Sequence, residues 1–314
     1  MTPFCAPPIV HSSKALCPWV DETHEALYVD VDDVFNSFDA FTRAFGELGN
    51  IEVHGHVVLV TGSDGCGKTA LVNKCVSWLH RRLLPKRNQP VIVDLFSIFP
   101  EGDHRRRART LFKALVHQLR ADRGGFFTTE EWNSLATVDP EEDLILSYRL
   151  LSGLLKKNKL IVLALMPRAK SEEEILELAR LALNHIVFFA EIPSFGITPA
   201  NTIRKEFSSA LVPVRIGKLQ ASDGLAWFRD RERRFPPEEQ EELPSIPDDA
   251  LIEFLTDIRE SEEFFTLRFL QKYFCKFYST YVPQHGGAPI SYENLNSFLG
   301  NNWIDFFGEP QEGE

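Results

Sequence analysis

Two periodicities alternate along the first 220 residues. Short apolar runs at Val57-Val58-Leu59-Val60, at Val91-Ile92-Val93 and over residues 160–165, 186–189 and 211–216 read as strands buried on both faces. Between them, apolar residues recur every three or four positions. Leu71, Val72, Cys75, Val76 and Leu79 make one such stripe, and Ala108, Leu111, Phe112, Leu115 and Leu119 make another. Val34, Phe35, Phe38, Phe41 and Phe45 predict an amphipathic helix within residues 30–48, and residues 141–156, opened by Pro140, predict a further one. Ser171 with Glu174 three residues on predicts a capping box for a helix reaching Leu183. Alternation of apolar strands with helices predicts an α/β fold: a parallel five-stranded sheet covered by helices on both faces. Pro213 cannot donate to a central ladder, so the fifth strand is expected at an edge.

The pattern changes on either side of this block. Residues 1–29 carry prolines and no period, and are expected to form a loose arm. Residues 221–250 read as a connection, with Phe235 to Asp249 rich in Pro and Glu, although alternating charges from Arg229 to Arg234 suggest an exposed, ion-pair-laced helix. Residues 251–305 are helical and aromatic and predict a smaller helical lid domain, broken at Gly286-Gly287-Ala288-Pro289; residues 306–314 read as an acidic tail.

Composition narrows the chemistry. The 314 residues carry a net charge of −11, so a chain-wide basic surface for nucleic acid is excluded. A local cluster, His104-Arg105-Arg106-Arg107 with Arg109, keeps a local contact with nucleic acid or an acidic protein open. Cations at a helix start oppose its dipole and call for an anionic partner. The longest apolar run falls well short of the roughly 20 residues of a membrane span. Five cysteines, odd in number and widely spaced, argue against a disulfide framework or a zinc site. With no basic, apolar leader in the opening residues, a reducing cytoplasm is the expected location.

One segment carries sharp chemistry. Gly62-Ser63-Asp64-Gly65-Cys66-Gly67-Lys68-Thr69 matches GxxxxGK[ST] at every defined position, between an apolar strand and an amphipathic helix. Glycines let successive backbone N–H groups converge on phosphate oxygens at a helix N-terminus. Lys68 is then placed for the β and γ phosphates, and the Thr69 hydroxyl for Mg²⁺. Cys66, inside the loop, is either a reactive thiol beside a helix N-terminus or a small filler.

Hydrolysis usually needs a carboxylate at the end of a neighbouring strand. The third strand ends Leu165-Met166-Pro167-Arg168, with no acid. Asp94, at the end of the second strand, is one candidate for a magnesium-shell ligand; Glu191, at the end of the fourth, is another that could contact the γ-phosphate or its water.

With its loop Gly62 to Thr69, five-strand order, edge Pro213 and trailing helical segment, the chain resembles the AAA+ and STAND group of P-loop NTPases, most closely the origin-recognition-like branch. The resemblance spans residues 30–300. It implies ATP and Mg²⁺ as ligands, adenine rather than guanine, an oligomer, and a nucleotide-dependent switch or remodelling ATPase acting on a protein partner. It also implies that Arg268, in Phe265-Thr266-Leu267-Arg268, is a lid cation for the γ-phosphate, and that Arg204 is a candidate finger toward a neighbouring subunit. The acid-free third strand departs from the group. It leaves open a non-hydrolysing ATP-binding scaffold and, with Asp94 as the metal ligand, a P-loop kinase.

Overall fold

The computed structural model describes residues 4, 15–31, 34–48, 50–193, 210–234, 244–260, 265–281, 283 and 288–307. Five strands form one sheet: β1 (His56–Gly62), β2 (Gln89–Asp94), β3 (Leu160–Leu165), β4 (Ile186–Pro193) and β5 (Leu211–Arg215). Their order is β2-β3-β4-β1-β5, and every neighbouring pair is parallel. β3 is buried at all six positions, as a strand sandwiched between helices must be. Pro213 sits on the edge strand β5 opposite Leu59, where its missing N–H costs no central ladder bond.

Helices cover both faces. They are α1 (Val34–Ala44), α2 (Asn50–Val53), α3 (Lys68–Leu83), α4 (His104–Arg123), α5 (Thr129–Ala136), α6 (Leu144–Lys157) and α7 (Glu172–Leu181). Strand alternation divides the core between the two faces. Val58, Val60, Val187 and Phe189 face α1 and α3; Val57, Leu59, Phe188 and Ala190 face α4, α6 and α7.

The C-terminal helices, termed the lid below for their place over the loop, are α8 (Ala221–Arg233), α9 (Asp248–Glu260), α10 (Leu267–Lys276), a wide turn at Phe277–Tyr281, α11 (Tyr292–Asn301) and α12 (Trp303–Phe307). Residues 221–233, expected to open a connection, are therefore a helix, packed on α9. The lid shares one core with the α1 and α3 face of the sheet, through Trp227, Phe228, Phe254, Tyr273 and Phe274. Gly286 and Gly287, residues 235–243 and the 308–314 tail lie outside the described residues.

Two expectations are corrected. Residues 15–31 are not a loose arm but are bound to α3. Asn73 is the anchor: its side chain accepts from Trp19 Nε1 at 3.1 Å and donates to Leu16 O at 2.9 Å. Tyr28 donates its hydroxyl to Ala70 O at 2.6 Å. Lys74 Nζ, buried on the same helix, lies 4.3–4.8 Å from the ring centroids of Tyr28, Phe35 and Phe38, so three π faces compensate a desolvated cation whose pKa burial lowers. Phe4 is fully buried in the lid, stacked 4.6 Å from Phe228. Proline content concealed all of this because the contacts are specific rather than periodic. The second correction concerns the cysteines: Cys275 is disulfide-bonded, which spacing alone did not announce.

Candidate functional site

β1 ends at Gly62, and the chain turns through Ser63, Asp64, Gly65 and Cys66 to Gly67, which caps α3. Gly65 and Gly67 have φ of +73° and +101°, a region that strains side-chain-bearing residues. A Cβ at Gly65 would come within 2.8 Å of the Thr266 side chain, so the loop lies directly against the lid. Cys66 is 3% exposed and packed beneath the loop, within reach of any Cβ added at Gly62; this is the position of a filler.

Lys68, 5% exposed, curls back over the loop. Its Nζ donates to Gly62 O at 3.0 Å, Ser63 O at 2.7 Å and Asp64 Oδ1 at 3.2 Å. Thr69 Oγ1 donates to Glu191 Oε1 at 2.8 Å. The topology explains this pairing: β4 is the direct neighbour of β1, and Glu191 is in register with Val60. Burial raises the pKa of Glu191, with the Thr69 hydrogen bond and the charges of Lys68 and Arg168 opposing it.

The structure does not bring Asp94 to the loop. β2 is the far edge strand, three strand spacings from β1, or about 14 Å. Asp94 Oδ1 instead accepts from Phe96 N at 2.9 Å and shapes the turn out of β2. Nor does β3 supply an acid. Met166 is buried, its N–H bonded to Phe189 O, and the next side chain to reach the site is Arg168.

These groups line one cavity of about 620 Å³. Its floor is the loop with Lys68 and Thr69; Arg168 and Glu191 stand on the sheet side; Trp227, Arg231, Leu267, Arg268 and Gln271 come from the lid. Arg268 lies in the first turn of α10, which Thr266 caps by accepting from Phe269 N at 3.1 Å. Arg204 lies outside the described residues. The only carboxylates on the cavity wall among the described residues are Asp64 and Glu191, against the cations Lys68, Arg168, Arg231 and Arg268.

Two of those cations escaped the sequence reading. Arg231 belongs to the segment expected to be an exposed ion-pair helix, yet it is 8% exposed. Its Nη2 donates to Leu27 O at 3.0 Å, and its guanidinium lies 5.8 Å from the Trp227 ring centroid. Burial lowers its pKa to about 10. Its place on the apolar stripe with Trp227 and Phe228 was the available signal. Arg168 follows the third strand by three residues, in the segment where an acid was sought; its position was visible, but its direction was not.

The basic cluster at the start of α4 also resolves. Arg107 is a buried side chain whose Nε donates to Glu174 Oε1 at 3.0 Å and whose Nη2 donates to Arg168 O at 3.3 Å; Nη1 donates to Pro100 O. Arg109 pairs with Glu141 at 3.3 Å. Glu174 therefore does not complete the expected capping box: Ser171 caps α7, but the Glu174 carboxylate accepts from Lys170 N and Arg107.

Comparison with solved structures places the architecture. The Aeropyrum pernix ORC2 protein, in its ADPNP–ADP complexes, aligns over 85% of this chain and 67% of its own at a TM-score of 0.54 and 12% identity. The Cdc6p of Pyrobaculum aerophilum aligns over 88% and 70% at 0.54 and 13%. The chain has the AAA+ fold of the ORC and Cdc6 proteins. The Aeropyrum pernix ORC1 protein, solved in complex with DNA, agrees at a TM-score of 0.53 and 13% identity, over 96% of this chain and 69% of its own. No family model and no curated protein matches the sequence. No helix among the described residues is long and apolar enough to cross a membrane.

Proposed function

We propose that the protein is an ATP-binding switch in which nucleotide occupancy, rather than rapid turnover, sets the position of the lid. The observation that carries this reading is the single cavity in which a buried Lys68, the Thr69–Glu191 pair and lid residues Arg231 and Arg268 converge. The loop N–H groups at the α3 N-terminus suit a polyphosphate, and Lys68 reaches its outer phosphates. Thr69 and Glu191 fit a magnesium ion, being a hydroxyl and a carboxylate 2.8 Å apart beside the phosphate loop. Glu191 thus replaces the acid missing from β3. When bound, the metal would neutralise charge on the outer phosphates.

The same wall argues for slow hydrolysis. β3 supplies no acid, and Glu191, engaged with Thr69, is taken up as the magnesium ligand. No carboxylate at the strand ends on the cavity wall, among the described residues, is left to orient water, so the arrangement holds a triphosphate better than it cleaves one. The nucleotide is read by the lid, which touches the loop at Gly65 and Thr266, and movement of the lid is the natural output toward a protein partner. Nucleic acid is a poorer partner, because Arg107 and Arg109 of the basic cluster are already engaged within the fold. The test is equilibrium binding of ATP beside multiple-turnover phosphate release, for the native chain and Lys68→Ala. Tight binding with negligible release in the native chain, and no binding in the variant, is the expected result; robust turnover by the native chain would replace the occupancy switch with an active ATPase.

A further inference from the structure

Where an acid is expected at the end of the third strand, the segment just beyond it presents a cation, Arg168. The Arg168 guanidinium lies 3.0 Å from the Asp64 carboxylate, and Lys68 Nζ lies 3.2 Å from the same carboxylate. Two cations from separate elements therefore converge on one small planar anion inside the cavity. We infer that this is a phosphate seat: Arg168 is a ligand for the outer phosphates, and Asp64 occupies the seat until nucleotide displaces it. The inference rests on the nucleotide reading of the cavity and adds to it a residue and a mechanism of entry.

The exposures are graded in the required order. Lys68 is 5% exposed and cannot move far. Arg168 has a half-exposed side chain on a fixed backbone: its carbonyl accepts from the buried Arg107, and the N–H of Ala169 donates to Glu191 O at 3.0 Å. Asp64 is 66% exposed on a glycine-flanked loop and can swing into solvent. A buried cation, a second cation on an anchored backbone and an exposed anion suit an exchange of carboxylate for phosphate. The guanidinium fork matches two oxygens of a phosphate as well as those of a carboxylate. Because the motif lysine serves the β and γ phosphates, the cation sharing its anion serves the same end of the ligand.

The experiment is a calorimetric titration of ATP and of ADP into the native chain and the variants Arg168→Ala, Arg168→Gln, Arg168→Lys, Asp64→Asn and Lys68→Ala, each checked for a native-like melting curve. Losing a charge-assisted bond to phosphate is expected to weaken ATP binding at least tenfold in both Arg168→Ala and Arg168→Gln. ADP should lose less, so the ATP-to-ADP preference narrows, and Arg168→Lys should recover part of it. Asp64→Asn, which removes the competing charge, should tighten ATP binding. ATP affinity within twofold of native in both Arg168→Ala and Arg168→Gln, while Lys68→Ala abolishes binding, would overturn the proposal and leave the nucleotide reading standing, as would weaker binding in Asp64→Asn. A native chain that takes up neither nucleotide would overturn both, and is recognisable because Lys68→Ala then has nothing to lose.

Discussion

Replacing Arg107 by Met strands a carboxylate in the interior, and the cost separates two readings of the basic cluster. Arg107 and Glu174 are 3% and 4% exposed, and the guanidinium also donates to the carbonyls of Pro100 and Arg168. Removing one partner of such a pair costs about 3–5 kcal/mol, because the remaining charge stays buried. Exposed pairs such as Arg109–Glu141 are worth about 0–1 kcal/mol. Two carbonyls also lose a donor, which puts Arg107→Met in the upper half of the first range. Native stabilities are about 5–15 kcal/mol, so the variant remains foldable in the cold. The assay is urea unfolding followed by tryptophan fluorescence, for Arg107→Met, Glu174→Met and the double variant. The two single losses should exceed the double loss by at least about 2 kcal/mol, the signature of a direct pair. The deficit should persist in high salt, which screens buried pairs weakly. A loss below about 1 kcal/mol for Arg107→Met would refute the reasoning and return Arg107 to the solvated face.

Two pH effects follow from burial. Glu191 has a folded pKa above its usual value, so the native state holds its proton more tightly than the unfolded chain, and stability falls as pH rises from the ordinary glutamate range through the folded pKa. Glu191→Gln should therefore raise the melting temperature at neutral pH and lose that advantage near pH 4; an advantage independent of pH would contradict this. His56 is 7% exposed, with neither ring nitrogen hydrogen-bonded among the described residues, and burial pulls its pKa down to about 4. The unfolded chain then binds the extra proton, so stability is lost as pH falls from about 6.5 to 4, by roughly 3 kcal/mol; His56→Phe should remove that part of the acid sensitivity in pH-dependent melting, and an unchanged acid limb would refute it.

What was legible in the sequence follows from which forces are periodic. The strands showed because a sheet covered on both faces needs continuous apolar runs, and Pro213 marked its own place at the edge. The phosphate loop showed because its geometry demands glycines at fixed offsets, Gly62 and Gly67, the second of which adopts positive φ. Glu191 could be named but not chosen over Asp94. The choice depended on strand order, which sets β4 beside β1 and β2 at the far edge. Arg107 and Arg231 were misread because a charged letter reads as solvent-facing; each is buried against a partner distant in the chain, Glu174 for one and Leu27 for the other. The docking of residues 15–31 was hidden because Asn73, Tyr28 and Trp19 act through a few specific hydrogen bonds with no repeat.

The most direct measurement is the heat of mixing ATP with the purified chain, in parallel with Lys68→Ala. A saturable signal at one equivalent, absent in the variant, is the result expected if residues 62–69 grip a triphosphate. A well-folded native chain giving no heat with ATP, ADP or GTP, or a Lys68→Ala variant binding as tightly as native, would contradict it.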